Sequence, residues 1–205
     1  LLGTVLLAEA LAITAAGVSS RLELVDTEPN MSAGLLSGGA LGAVGLAMGA
    51  AIGGALTSAG SLLWLIGAVV AGVGLFLLAI LPREDLGSTL PTAIVVGALG
   101  LTIVTGTIGV GWQWNPQTLS GGFTGGAVIP VFLLVGTLLS AWSAAKCRAG
   151  FGARGREYGA FLVINLNAFL MVAVMATIVV FVTVKGVGYA FHGLSVGALT
   201  ALVLL

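Results

Sequence analysis

Few side chains in this sequence could carry chemistry, and they lie far apart. Glu9 stands in an apolar run, where a carboxyl group could relay protons. A protonated, helix-packed or interfacial Glu9 is the simpler interpretation, and we favour it. His192 has no carboxylate or cysteine nearby, and the single Cys147 can form no internal disulfide. The sequence contains no recognisable nucleophile–histidine–acid set, paired carboxylates or ligand cluster, so we expect no catalysis, no cofactor and no metal.

Two other polar patterns have structural explanations. Asn165 and Asn167 lie two residues apart, so on a helix they face different sides and cannot serve one ligand. Hydrogen bonds between helices, or a position at the interface, account for both. The glycine-rich residues 120–126 could suggest a phosphate cradle, but they lack the lysine and the strand–helix context of a P-loop. We interpret this segment as a flexible external connection.

The elements that position these residues must lie in a membrane. Of the 205 residues, 59% are hydrophobic and only 7% are charged, and the mean hydropathy is +1.20. A soluble domain carries about 25% charged residues. The composition therefore excludes a soluble enzyme, a disordered chain and a secreted disulfide scaffold. The formal net charge of zero offers no basic surface, so we expect no nucleic-acid partner.

Six apolar stretches are long enough, or nearly so, to cross a hydrocarbon core of about 30 Å. Helices are required because hydrocarbon offers no partner for an unpaired backbone group, and the stretches lack the alternation of barrel strands. We therefore predict an all-α bundle of about six transmembrane helices. Pro91 should open the fourth span, since proline is tolerated in a first helical turn. Pro130 should lie in the first turn of the fifth span or kink it. The predicted spans are residues 1–18, 35–56, 61–81, 91–111, 126–145 and 160–184.

These spans define six segments. Both ends of the chain lie inside apolar runs, so we expect a fragment of a longer protein. The segments are a truncated first span (1–18), a polar cytoplasmic linker (19–34), a four-span glycine-rich membrane region (35–145), a basic cytoplasmic loop (146–159), the sixth span (160–184), and an external segment leading into a truncated further span (185–205).

Basic residues predict the orientation. Residues 146–158 hold four of the seven basic residues against one acid, Glu157, which is a strong cytoplasmic signal. With six alternating spans, Lys185 alone among the basic residues falls outside. Trp112 and Trp114 follow the fourth span, and indole rings favour the headgroup level, so the pair should mark the opposite membrane surface.

Glycine is abundant, with 33 residues, and it forms a stripe along the second span. Steps of three and four place these glycines on one helix face, where another helix can approach closely. We interpret the stripe as a packing face; a tight dimer or a sliding gate helix is the functional alternative. Glycines at 60, 67 and 74 repeat along the third span and could face the stripe. The stripe consists of Gly38, Gly42, Gly45, Gly49 and Gly53.

Residues 156–195 read REYGAFLVINLNAFLMVAVMATIVVFVTVKGVGYAFHGLS. This segment resembles the start of the membrane subunit of phosphate-type ABC importers, the PstA type. A basic segment leads into an apolar span, which ends in Lys185-Gly186 and a stretch of small and aromatic residues. The resemblance implies a plasma-membrane permease with a second permease subunit, a cytoplasmic ATPase and an external substrate-binding protein. The family's ATPase-docking loop has no match here, so the resemblance implies a transport core beyond Leu205 and assigns no functional residue.

Three functional expectations follow. The first is a membrane-spanning component of an ABC importer, for phosphate by resemblance, in which these residues provide anchoring and packing. The second is an accessory structural subunit of a larger membrane complex, such as a respiratory one. The third is a small self-contained channel or carrier built on the hairpin that the glycine-striped second span forms with the third span, a function that inverted repeats would favour. We find no convincing internal repeat in the sequence.

Overall fold

The computed structural model describes residues 1–24, 32–57, 62–116 and 121–192, with side chains up to residue 186. The all-α prediction is confirmed: the described elements are helices apart from one small strand pair. Five of the helices are long and apolar enough to cross a membrane, so the chain is a multi-pass membrane protein. The helices are α1 (Leu2–Arg21), α2 (Leu35–Leu56), α3 (Leu63–Ala79), α4 (Glu84–Thr105), α5 (Gly125–Arg148) and α6 (Gly152–His192). Strands β1 (Gln113–Trp114) and β2 (Phe123–Thr124) pair antiparallel.

The chain forms two compact units, Leu1–Ala160 and Phe161–Leu205. In the first unit α1 packs along α4, α2 packs along α3, and α4 also contacts α5. The core centres on α4, where Val95 and Val96 are fully buried against Leu6, Met48 and Leu75 of the other helices. Lipid tails are as apolar as these side chains, so close packing rather than removal of water stabilises the core.

The glycine stripe of α2 lies so close to α3 that an added side chain would meet the α3 backbone at several positions. A Cβ added to Gly45 would lie 2.7 Å from the Ala71 carbonyl oxygen, and one on Gly53 would lie 2.9 Å from the Trp64 Cα. Gly49 faces the carbonyl oxygen of Gly67. The other two glycines of the stripe meet side chains: Gly38 faces Ile80 at 2.9 Å and Gly42 faces Phe76 at 3.2 Å.

Of the two described glycines in the repeat of α3, only Gly67, near the start of the helix, lies against α2. A Cβ on Gly67 would approach the Gly49 carbonyl oxygen at 3.0 Å, whereas one on Gly74 would meet nothing within 4 Å. Position 60 lies outside the described residues. The repeat of seven therefore does not mark one continuous contact face.

The start of α4 differs from the sequence prediction. We expected Pro91 to open the fourth span, but α4 begins at Glu84 and contains Pro91 in its interior. Two acidic residues in the first turn, Glu84 and Asp85, favour this start because their charge complements the partial positive charge of a helix N-terminus. Pro91 has no N–H, so the Gly87 carbonyl lacks its usual helical donor. The helix also ends sooner than predicted, at Thr105, where Gly106 has a left-handed φ of 72°.

The predicted basic loop 146–159 is also corrected. Helix α5 continues to Arg148 and α6 begins at Gly152, so the turn comprises only residues 149–151. Phe151 adopts a left-handed φ of 59°, which is unusual for a residue with a side chain. Its ring is 2% exposed, and its N–H donates to the Lys146 carbonyl oxygen at 2.9 Å, so packing and capping hold the turn. Helix α6 extends beyond the predicted span 160–184 at both ends, and residues 193–205 lie outside the described part of the chain.

Candidate functional site

The structure separates the polar residues that the sequence singled out. Glu9 is partly exposed in the first half of α1, and its carboxylate has no hydrogen-bond or ion-pair partner among the residues that the structure describes. Asn165 and Asn167 are exposed on α6. Cys147 is a partly buried free thiol. The side chain of His192 lies outside the described set. These residues form no common site.

A group of charged residues that the sequence did not bring together lies where α4 begins and α5 ends. We call Arg83, Glu84, Asp85 and Lys146 the charged cluster. Lys146 Nζ donates to Glu84 Oε1 at 2.7 Å, and the two side chains are 3% and 0% exposed. Lys146 Nζ also donates to Ser88 Oγ at 3.3 Å and lies 4.3 Å from the centre of the Trp142 ring, a cation–π distance.

Asp85 forms the second half of the charged cluster. It accepts hydrogen bonds from Arg83 Nη2 at 2.9 Å and from the Leu86 backbone N–H at 2.8 Å. Ser20 Oγ, in the last turn of α1, donates to the same carboxylate at 3.2 Å. The hydrogen bond from Arg83 to Asp85 raises the pKa of the guanidinium, so this group stays charged. Asp85 thereby joins the end of α1 to the start of α4.

Helix ends explain why these charges tolerate burial. Glu84 and Asp85 lie at the N-terminus of α4, and Lys146 lies in the last turn of α5, so each charge faces the favourable end of a helix macrodipole. Taking charges out of water is expensive unless they are paired and hydrogen-bonded. Here two acids and two bases neutralise each other, and one buried atom, Glu84 Oε2, has no partner among the described atoms.

The charged cluster joins the ends of three helices, α1, α4 and α5. Its donors are used by its own acceptors, and the described residues contain no group of three or more metal-ligating side chains. The sequence did carry signals for it. Acidic residues shortly after a proline, here Glu84 and Asp85 after Pro82, are typical of a helix start, and Lys146 directly follows an apolar run. The distance of 62 residues between Glu84 and Lys146 hid the pairing.

Beside the first half of α5, away from Lys146, lies a hollow of about 570 Å³, which we call the apolar cavity. It lies between α2 and α5 and is closed at one end by aromatic rings. Its lining contains no charged or polar side chain other than the indole N–H groups of tryptophan. The lining residues are Ala43, Val44, Ala47, Ala50, Ala51, Trp64, Trp112, Trp114, Phe123, Ala127, Val128, Val131, Phe132 and Val135.

Trp114 is the centre of the aromatic end. Its ring lies 5.5 Å from that of Phe123 and 6.2 Å from that of Trp112, both stacked, and 5.3 Å from that of Trp64, edge-on. The β1–β2 pairing sets Trp114 opposite Phe123. Gly54 of α2 makes room for the indole, because a Cβ there would lie 2.6 Å from Trp114 Cδ2. Such offset and edge-on pairs each contribute about 0.5–1.5 kcal/mol beyond their burial.

No protein-family model, curated protein or solved structure matches the chain.

Proposed function

We propose that this chain is a membrane-spanning component of an ABC-type importer of the plasma membrane, with phosphate as the substrate that the sequence resemblance implies. In this role the described helices anchor and brace a permease, and the solute pathway involves further transmembrane helices. Its partners would be a second permease subunit, a cytoplasmic ATPase and an external binding protein. The proposal assigns transport, not catalysis, to the chain.

The observation that carries the proposal is the form of α6, which contains most of the segment resembling the importer subunits. The helix is continuous from Gly152 to His192 and begins with basic residues, Arg154 and Arg156. From residue 161 to residue 186 it has no buried side chain, although its residues are almost all apolar. A helix that is apolar all round is covered by lipid or by other membrane helices. In the proposed importer, helices of the permease core would pack against α6.

The first unit supports a bracing role. Its buried charges are neutralised within the charged cluster, and the apolar cavity offers no group that would stabilise an ion. A pathway for phosphate needs converging cationic side chains or helix N-termini. Within the described residues of this unit, no such arrangement lines a cavity, so the pathway is assigned to other helices.

The test is purification from the native membrane with a mild detergent, followed by identification of the subunits that remain bound. We expect an ATPase with a P-loop and a second permease subunit, both in the plasma-membrane fraction. Proteoliposomes of this complex should take up phosphate only when ATP and the binding protein are supplied.

The other outcomes distinguish the rival functions. Stable association with respiratory subunits, and no ATPase, would replace the proposal by the accessory-subunit hypothesis. Ion or solute flux through the chain alone, without ATP, would favour a self-contained channel or carrier.

A further inference from the structure

We propose that the apolar cavity is a binding site for one hydrocarbon chain of a membrane phospholipid, which enters from the bilayer between α2 and α5. This site is independent of the permease proposal. It rests on the shape of the cavity, the chemistry of its wall, the direction in which it opens and the position of its aromatic end.

The cavity exists because small residues of α2 face branched residues of α5. Ala43, Ala47 and Ala50 lie at steps of four and three, so they share one face of α2. Across the gap, Val128 and Val135 with their neighbours form the wall of α5. The resulting 570 Å³ lies within the range of about 300–1,000 Å³ that small-molecule sites occupy.

Water is an unsuitable occupant of this space. A buried water needs two to four polar partners, and the wall of the cavity is apolar almost throughout. An apolar cavity of about 150 Å³ already stays dry and takes up benzene in water. A cavity this much larger would lose dispersion contacts along its whole wall if it were empty, so an apolar guest stabilises it.

The cavity opens towards lipid. Val131 on its rim is 58% exposed, and Ala43 and Ala47 are exposed as well. Because α2 and α5 are both spanning helices, exposed side chains in their middle turns face hydrocarbon rather than water. The guest therefore comes from the bilayer, and the abundant apolar guest there is a lipid chain.

The aromatic end sets the depth of the lipid. Trp112 and Trp114 favour the headgroup level, which places the glycerol region of the lipid there and its chain along Ala47 and Val131. The connection from residue 106 to residue 126 contains no charged residue. The site therefore recognises the chain and is indifferent to the charge of the headgroup.

The test uses the whole chain in nanodiscs of phosphatidylcholine that contain a trace of phosphatidylcholine with a diazirine in one acyl chain. After illumination, adducts are mapped by mass spectrometry. We expect them to concentrate on residues 43–51 and 128–135, about tenfold above residues 161–186, which are exposed to lipid but line no cavity; this ratio corresponds to about 1.4 kcal/mol. Substituting an anionic phosphatidylglycerol probe should leave the pattern unchanged.

Ala47→Phe places an aromatic ring in the cavity, and Ala40→Phe, on an exposed position of α2 outside the cavity, is its matched control. We expect Ala47→Phe to reduce the adducts in the cavity roughly tenfold, about 1.4 kcal/mol, because its ring occupies space in which the lipid chain would lie. Val131→Trp, which obstructs the mouth, should act similarly.

The proposal is overturned if the wild-type adducts spread evenly over the cavity and residues 161–186, since that is the pattern of ordinary surrounding lipid. It is also overturned if the two Ala→Phe variants label alike. The wild-type map decides the matter even if a variant fails to fold.

Discussion

Lys146, in the last turn of α5, donates a 2.7 Å hydrogen bond to Glu84 in the first turn of α4, and both side chains are buried. The ends of two antiparallel helices thus meet with opposite charges, each in the favourable field of its own helix. Asp85, also in the first turn of α4, accepts a hydrogen bond from the Ser20 hydroxyl of α1. The charged cluster therefore fixes the relative height of α1, α4 and α5 at one end of the first unit.

Lys146→Met should be strongly destabilising. It leaves the Glu84 carboxylate buried without its partner, which costs about 3–5 kcal/mol when one member of a buried pair is removed. Combining Lys146→Met with Glu84→Gln should restore much of the loss, since the buried charge disappears. Arg154→Met, at an exposed position, serves as the control. The unfolding temperature in detergent is measured for the wild type and the three variants. A double variant no more stable than Lys146→Met would contradict the role of the pair.

Gly45→Leu should destabilise the α2–α3 hairpin by roughly 1–3 kcal/mol, the usual range for overpacking. Its Cβ would lie 2.7 Å from the Ala71 carbonyl oxygen, and a helix backbone cannot move aside without separating the two helices. Gly39→Leu is the matched control on the same helix, because a Cβ there meets nothing within 4 Å. Equal unfolding temperatures for the two variants would show that the stripe is not a packing face.

A cysteine at Ala153 should be protected from the external medium. This position is exposed at the start of α6, among the basic residues whose excess predicts the cytoplasmic side. In a Cys147→Ala background, Ala153→Cys should react with an impermeant maleimide in inside-out vesicles but not in intact cells. Gly121→Cys, in the connection between β1 and β2, should show the reverse. Rapid labelling of Ala153→Cys in intact cells would show that the orientation is opposite to the one predicted.

Residues 1–205 alone should show no tight phosphate binding. Arg83 and Lys146 are engaged with Asp85 and Glu84, so two of the seven basic residues are already neutralised. The other basic residues lie near helix ends, apart from Lys185, which is exposed on α6, and attraction of such groups for an anion is weak and screened by salt. Calorimetry with inorganic phosphate in moderate salt should give no saturable signal. A site of micromolar affinity would place the pathway within this chain and favour the self-contained carrier.

The sequence by itself determined the membrane setting and the helical class. Apolar runs of spanning length leave the backbone no partner but itself, so a helix is required wherever such a run occurs. Helix ends were less predictable: Pro91 suggested a start, but the acidic residues Glu84 and Asp85, two turns earlier, begin α4. In the same way, the excess of basic residues after Lys146 suggested a loop, although most of that segment is helical.

Only the tertiary structure decided which helices meet. The neighbours α2 and α3 pair through glycines visible in the sequence, but α1 packs along α4, across the intervening hairpin. Gly17 there faces Thr89, and a Cβ on Gly3 would lie 2.8 Å from the Gly100 carbonyl oxygen, contacts that no spacing in the sequence indicated. Hydropathy is a property of one segment, and in lipid all apolar faces are nearly equivalent. The choice of partner therefore depends on the fit of particular surfaces, and that fit also created the Glu84–Lys146 pair and the apolar cavity.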